Sequence, residues 1–93
     1  MTIVILRNDG YMNKHFTTEN WLWKEERKDD TNYHFEIEFP NYGELLFYTN
    51  EYNATKLNDA LTNSAQKITF SLSKKETNIV GRYHNEAVIS IEY

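Results

Sequence analysis

The sequence predicts an α+β fold: an antiparallel sheet, mostly hairpins and meander, with one packed α-helix at about residues 51–66. Three observations carry this. Apolar residues alternate at a period of two in several stretches, most clearly in "YHFEIEF" at 33–39 and "ITFSL" at 68–72. One segment alone, "EYNATKLNDALTNSAQ" at 51–66, spaces its apolar residues at helical intervals. Turn chemistry (Asn8-Asp9-Gly10, "KDDTN", "PNYG") punctuates the alternating runs.

The elements follow in order. "TIVILR" at 2–7 reads as a β-branched strand, and "YMNKHFT" after the Asn8-Asp9-Gly10 turn returns as its partner. The stretch "NWLWKEERKDDTNYHFEIEF", 20–39, reads as a hairpin. Tyr33, Phe35, Ile37 and Phe39 share one face, and His34, Glu36 and Glu38 share the other. A register that opposes Trp23 to Ile37 and Trp21 to Phe39 also opposes Lys24 to Glu36, Glu26 to His34 and Leu22 to Glu38. Both faces are then satisfied. A helix over 18–28 is the rival reading, because "KEERK" favours helix, but nothing apolar recurs over 24–28 to give it a buried face.

"ELLFYT" at 44–49 is apolar without alternation, so both of its faces are expected to be covered. The helix after it places Ala54, Leu57 and Leu61 on one stripe, with Ala60 and Ala65 beside it, and Asn50 is positioned to cap its start. Three further strands are expected: "ITFSL", "NIVGRY" after a polar "KKET" turn, and "AVISIEY", which puts Ala87, Ile89, Ile91 and Tyr93 on one face.

Composition limits the function. Ninety-three residues fit one domain, 1–93, with 40% hydrophobic and 15% aromatic side chains for its core. A chain of this length buries roughly 60–65% of its unfolded surface, so its stability margin is modest. No cysteine is present, which removes disulfides and thiolate metal sites and fits a reducing compartment. The apolar run "IVIL" is too short for a secretory core or a membrane span, so a cytoplasmic protein without a membrane partner is expected. Fourteen acidic against ten basic residues give a net charge of −4, unsuited to direct nucleic-acid binding and better suited to a basic protein surface. Eleven asparagines, with many Lys, Ile and Tyr, suggest an AT-rich coding sequence.

Chemistry-bearing patterns are few. His34-x-Glu36-x-Glu38 sets three ligand-type residues on one strand face, with Glu26 across the hairpin as the only further ligand. Residues i and i+2 on a strand stand about 6.5–7 Å apart, so the solvated face of a hairpin is the simpler reading and no metal or cofactor is expected. There is no Gly-x-Ser-x-Gly elbow and no cysteine, and Gly10, Gly43 and Gly81 are isolated rather than forming a phosphate loop. No catalytic residue is assigned and no enzyme is expected. His15 and His84 read as surface or turn residues, and Trp21, Trp23, Phe35 and Phe39 as core rather than as a base-stacking platform.

The residues left for partner binding are Glu26, Asp29, Asp30, Glu36 and Glu38, on the polar face and tip of the hairpin. The expectation is a non-enzymatic acidic protein, monomer or homodimer, that blocks a partner's surface. A phage or mobile-element inhibitor of a host nucleic-acid-processing defence enzyme, of the anti-CRISPR kind, is its sharpest form, an analogy of size and charge. Two alternatives remain. A nucleic-acid-binding accessory protein requires Lys14, Lys24, Arg27, Lys74, Lys75 and Arg82 to converge, and a homodimer would pair through "AVISIEY" as an exposed strand edge.

Overall fold

The structure, a computed structural model, describes residues 1–7, 13–19, 21–30 and 32–93. Among these residues seven strands and one helix follow in the order β1 (Thr2–Arg7), β2 (Lys14–Thr17), β3 (Leu22–Asp29), β4 (Asn32–Phe39), β5 (Gly43–Asn50), α1 (Glu51–Thr62), β6 (Lys67–Glu76) and β7 (Tyr83–Glu92). The strands form one sheet, ordered β2-β1-β6-β7-β5-β4-β3. The α+β class is as expected, but the sheet is mixed rather than antiparallel. β1 runs parallel to β6, from Thr2 opposite Lys67 to Arg7 opposite Leu72, and β5 meets β7 in parallel at Tyr48 and Glu86.

That last contact is short for a physical reason. β5 runs straight into α1, whose Asn50 cap accepts the Asn53 backbone N–H at 2.9 Å. The helix wedges between β5 and β7 and takes over the work of a strand. Asn53 Oδ1 accepts the Ile89 N–H at 3.0 Å, and Lys56 Nζ donates to the Ile89 carbonyl at 3.0 Å. Buried backbone groups need such partners wherever a strand loses its neighbour.

One face of the sheet, the inner face, packs on α1. It contributes Ile3, Ile5, Phe35, Ile37, Phe39, Leu45, Phe47, Ile68, Phe70, Leu72, Ala87 and Ile89, against Ala54, Leu57 and Ala60 of the helix. The sheet curls. Phe16 of edge strand β2 packs edge-on against Phe39 at 5.2 Å and stacks on Tyr42 at 4.4 Å, although four strands lie between β2 and β4 in the sheet order. Trp21 and Trp23 close the far rim on Phe39 and Phe35 at 5.5 and 5.4 Å, as core residues rather than a stacking platform.

Several elements differ from expectation. The helix ends at Thr62, where Asn63 donates from its backbone to the Asp59 carbonyl and Ser64 takes a positive φ of 54°. Leu46 of β5 is 43% exposed, because the helix covers only the inner face and no described residues form a layer over the outer one. "NIVG" forms a turn rather than a strand, since β6 extends through "KKE" and Gly81 supplies a φ of +82°. "AVISIEY" is not an edge: β7 pairs with β6 along its length and meets β5 and α1 on its other side. The Asn8-Asp9-Gly10 turn lies outside the described residues.

Residues 22–29 are strand, not helix, and they form an edge. Six consecutive charged residues, Lys24 to Asp29, suit that place, because a charged edge resists pairing with other chains.

Candidate functional site

The β3–β4 hairpin obeys two constraints that disagree by one residue. The core opposes Trp23 to Ile37 and Leu22 to Glu38. At the other end the strands close tightly, with Asp29 opposite Asn32 and Asp30 at a φ of +57°, a conformation that Asp tolerates better than most residues. The surplus residue becomes a β-bulge at Lys24, between Trp23 and Glu25.

The bulge changes which residues meet. Glu25, not Lys24, lies opposite Glu36, and Arg27, not Glu26, lies opposite His34. Lys24 instead pairs with Glu38, Nζ to Oε2 at 3.2 Å. Glu26 is moved to the other face, opposite the buried Phe35, so it leaves the polar face to which the sequence register assigned it. The Lys24–Glu36 and Glu26–His34 pairs are therefore corrected.

Of the expected partner-binding residues, Glu36 and Glu38 lie together on the uncovered outer face. Asp29 is held by Arg27, which donates from Nε to both carboxylate oxygens at 2.9 and 3.0 Å. That hydrogen bond, followed by the charges of Asp29 and Glu25, raises the Arg27 pKa above its already high ordinary value. Asp30 stands at the hairpin tip and Glu26 is on the opposite face.

Sequence reasoning missed Glu25 and Glu44. Glu44 was legible: "PNYG" builds a tight turn, with Tyr42 N–H donating to the Phe39 carbonyl at 2.8 Å and Asn41 at a φ of 73°. The turn sets Phe39 opposite Gly43, hence Glu38 opposite Glu44. Two directly opposed carboxylate pairs, Glu25–Glu36 and Glu38–Glu44, thus stand on three adjacent strands, with Leu22 (54% exposed) and Leu46 (43%) on the same face. Opposed like charges destabilise a sheet by roughly 0.2–1 kcal/mol per pair. Lys24 relieves the second pair through Glu38, and Arg27 relieves the first through Glu25 Oε1.

Beside the carboxylates runs an aromatic row. His34, Tyr48 and His84, on β4, β5 and β7, have ring centroids 4.6 and 4.5 Å apart in succession. Each imidazole faces a carboxylate at 3.8 Å, His34 Nδ1 toward Glu25 and His84 Nε2 toward Glu86. Both of these ring nitrogens are buried without a hydrogen-bond partner. His34 is only 9% exposed, although it belongs to the uncovered face.

The cations do not gather. Lys24, Arg27 and Lys75 each pair with a carboxylate, Lys75 with Glu86 at 3.5 Å, and Lys74 lies 5.8 Å over the Tyr83 ring. No helix is long and apolar enough to cross a membrane among the described residues. No family model, curated protein or solved structure matches this chain.

Proposed function

We propose that the protein is a non-enzymatic binding protein that docks the outer face of β3-β4-β5 against a basic protein surface and blocks it. One observation carries the reading: the carboxylate pairs Glu25–Glu36 and Glu38–Glu44, together with exposed Leu22 and Leu46, occupy a sheet face that no other element covers among the described residues. Leucines flanked by carboxylates suit a partner that is cationic at its rim and apolar within it, because charge complementarity steers association while apolar burial supplies affinity. Carboxylates on a rigid sheet can also occupy positions that phosphates take on a nucleic-acid-processing enzyme. A host defence enzyme blocked by a phage or mobile-element protein is the sharpest form of the proposal. Direct nucleic-acid binding is disfavoured, since the cations of this face are already engaged with carboxylates.

The test is capture from a nuclease-treated extract with wild-type protein and with Glu38→Lys/Glu44→Lys as bait, followed by nucleic-acid-binding assays on the captured protein. A basic partner lost from the double variant, whose own nucleic-acid binding the wild-type protein inhibits, supports the proposal. Equal capture by both baits, or capture that nuclease abolishes, overturns it.

A further inference from the structure

The structure assigns a second property to the outer face, independent of any protein partner. We infer that Glu25, His34 and Glu36 form a binding site for a divalent first-row transition-metal ion. One ligand atom from each of the three lies within 4.8 Å of the other two. They come from two strands, Glu25 from β3 and His34 and Glu36 from β4, and the bulge at Lys24 brings them together.

The imidazole supplies the observation that a mere acidic cluster lacks. His34 is 9% exposed, and its Nδ1 is buried without a hydrogen-bond partner, 3.8 Å from Glu25 Oε1. A buried polar atom of this kind costs about 1–3 kcal/mol when left unsatisfied. The ring is held in place by Tyr48, which packs against it at a tilt of 37° with centroids 4.6 Å apart. Among the described residues no ion pair reaches Glu36, which faces Glu25 across the hairpin. A buried imidazole nitrogen without a hydrogen-bond partner, beside two opposed carboxylates, is a donor set suited to a cation.

The donor set selects the ion. One imidazole and two carboxylates suit Zn²⁺, Ni²⁺, Co²⁺ or Mn²⁺, whereas Mg²⁺ and Ca²⁺ prefer oxygen alone. Ligand atoms around a tetrahedral Zn²⁺ stand about 3.3 Å apart, given metal–ligand distances of ~2.0–2.2 Å. Closure from within 4.8 Å falls to the two glutamate side chains, and for Glu25 it competes with the bond from Arg27. Three protein ligands leave a fourth position for water. Arg27 is the resident competitor, because its Nη1 donates to Glu25 Oε1 while the rest of its guanidinium holds Asp29.

The experiment uses the whole chain, stripped with chelator and titrated with Zn²⁺ by calorimetry and with Co²⁺ by visible absorption. One ion per chain is expected, with Zn²⁺ tighter than Mn²⁺ and no competition from Mg²⁺. Glu36→Gln and His34→Phe should each weaken Zn²⁺ by about tenfold or more, the phenylalanine keeping a ring against Tyr48 while removing the nitrogen. Arg27→Gln should tighten binding. Circular dichroism reports whether His34→Phe folds, and Glu36→Gln, on the surface, decides the matter if it does not. Absence of stoichiometric Zn²⁺ binding overturns the inference, as does wild-type affinity in Glu36→Gln. Glu38→Lys/Glu44→Lys should still bind Zn²⁺, so failure of the docking proposal and failure of this one are separable.

Discussion

Asn53 accepts the backbone N–H of Ile89 at 3.0 Å, so a helix side chain stands where a neighbouring strand would present a carbonyl. Asn53 is itself buried, and its Nδ2 donates to the cap residue Asn50 at 2.9 Å. One side chain therefore ties helix start, sheet and cap together.

Asn53→Ala should destabilise the fold by about 1–3 kcal/mol, because it orphans a buried N–H. For a domain of this size each kcal/mol lowers Tm by roughly 4–8 °C. Lys56→Met, which frees only the Ile89 carbonyl, should cost less. Urea unfolding of the two variants side by side checks the order, and equal losses would mean that Asn53 acts only through packing.

Phe70 packs against Phe47 at 5.5 Å and Phe39 at 6.4 Å, joining β6 to the β4–β5 pair across the inner face. Phe70→Ala should cost about 3–5 kcal/mol. That is much of the 5–15 kcal/mol that holds a typical domain together. The checking measurement is the urea midpoint followed by tryptophan fluorescence, since Trp21 and Trp23 report the same core rim. A midpoint within experimental error of wild type would contradict the role given to this ring.

Glu36→Lys should stabilise the metal-free protein by roughly 0.2–1 kcal/mol at low salt, since it converts an opposed like-charge pair with Glu25 into an attractive one. The gain should shrink as salt screens it. Thermal melts at two ionic strengths in chelator test this. Destabilisation by the lysine would show that Glu36 serves the fold rather than a ligand.

Asp30 takes a φ of +57°, a geometry that β-branched residues resist. Asp30→Asn should leave stability unchanged, and Asp30→Val should cost about 1–3 kcal/mol. Partner capture that survives Asp30→Asn would assign this residue a conformational role. Capture lost in Asp30→Asn at unchanged stability would return its charge to the interface.

Strands were legible wherever an apolar face was, as in β4 and β6, where burial follows the period of two. The cap at Asn50 and the helical stripe were equally open to reading, although Leu61 is only half-buried at the groove beside Trp21 and Trp23. The parallel pairings were not. β1 and β6 are joined across most of the chain, and no local pattern states which strands will be neighbours. The bulge was hidden for a sharper reason. Apolar residues report register, and β3 has none after Trp23, so a run of six charges fits either alignment. The charge match that favoured the wrong register was chemically reasonable. The tight turn decided against it, and the turn brought Glu25 to Glu36. His34 is legible as a ligand type, but its burial depends on Tyr48, which arrives from another strand.

The parallel pairing of Thr2 with Lys67 has a consequence during synthesis. β1 leaves the ribosome some 65 residues ahead of its partner on one side. At about 5–20 residues per second that interval is roughly 3–13 s. Through it, Ile3 and Ile5 have only the four-residue β2 beside them. The nascent chain thus carries an apolar, half-paired ribbon for seconds, which makes β1 the segment a chaperone would meet and the place where slow translation would be most costly.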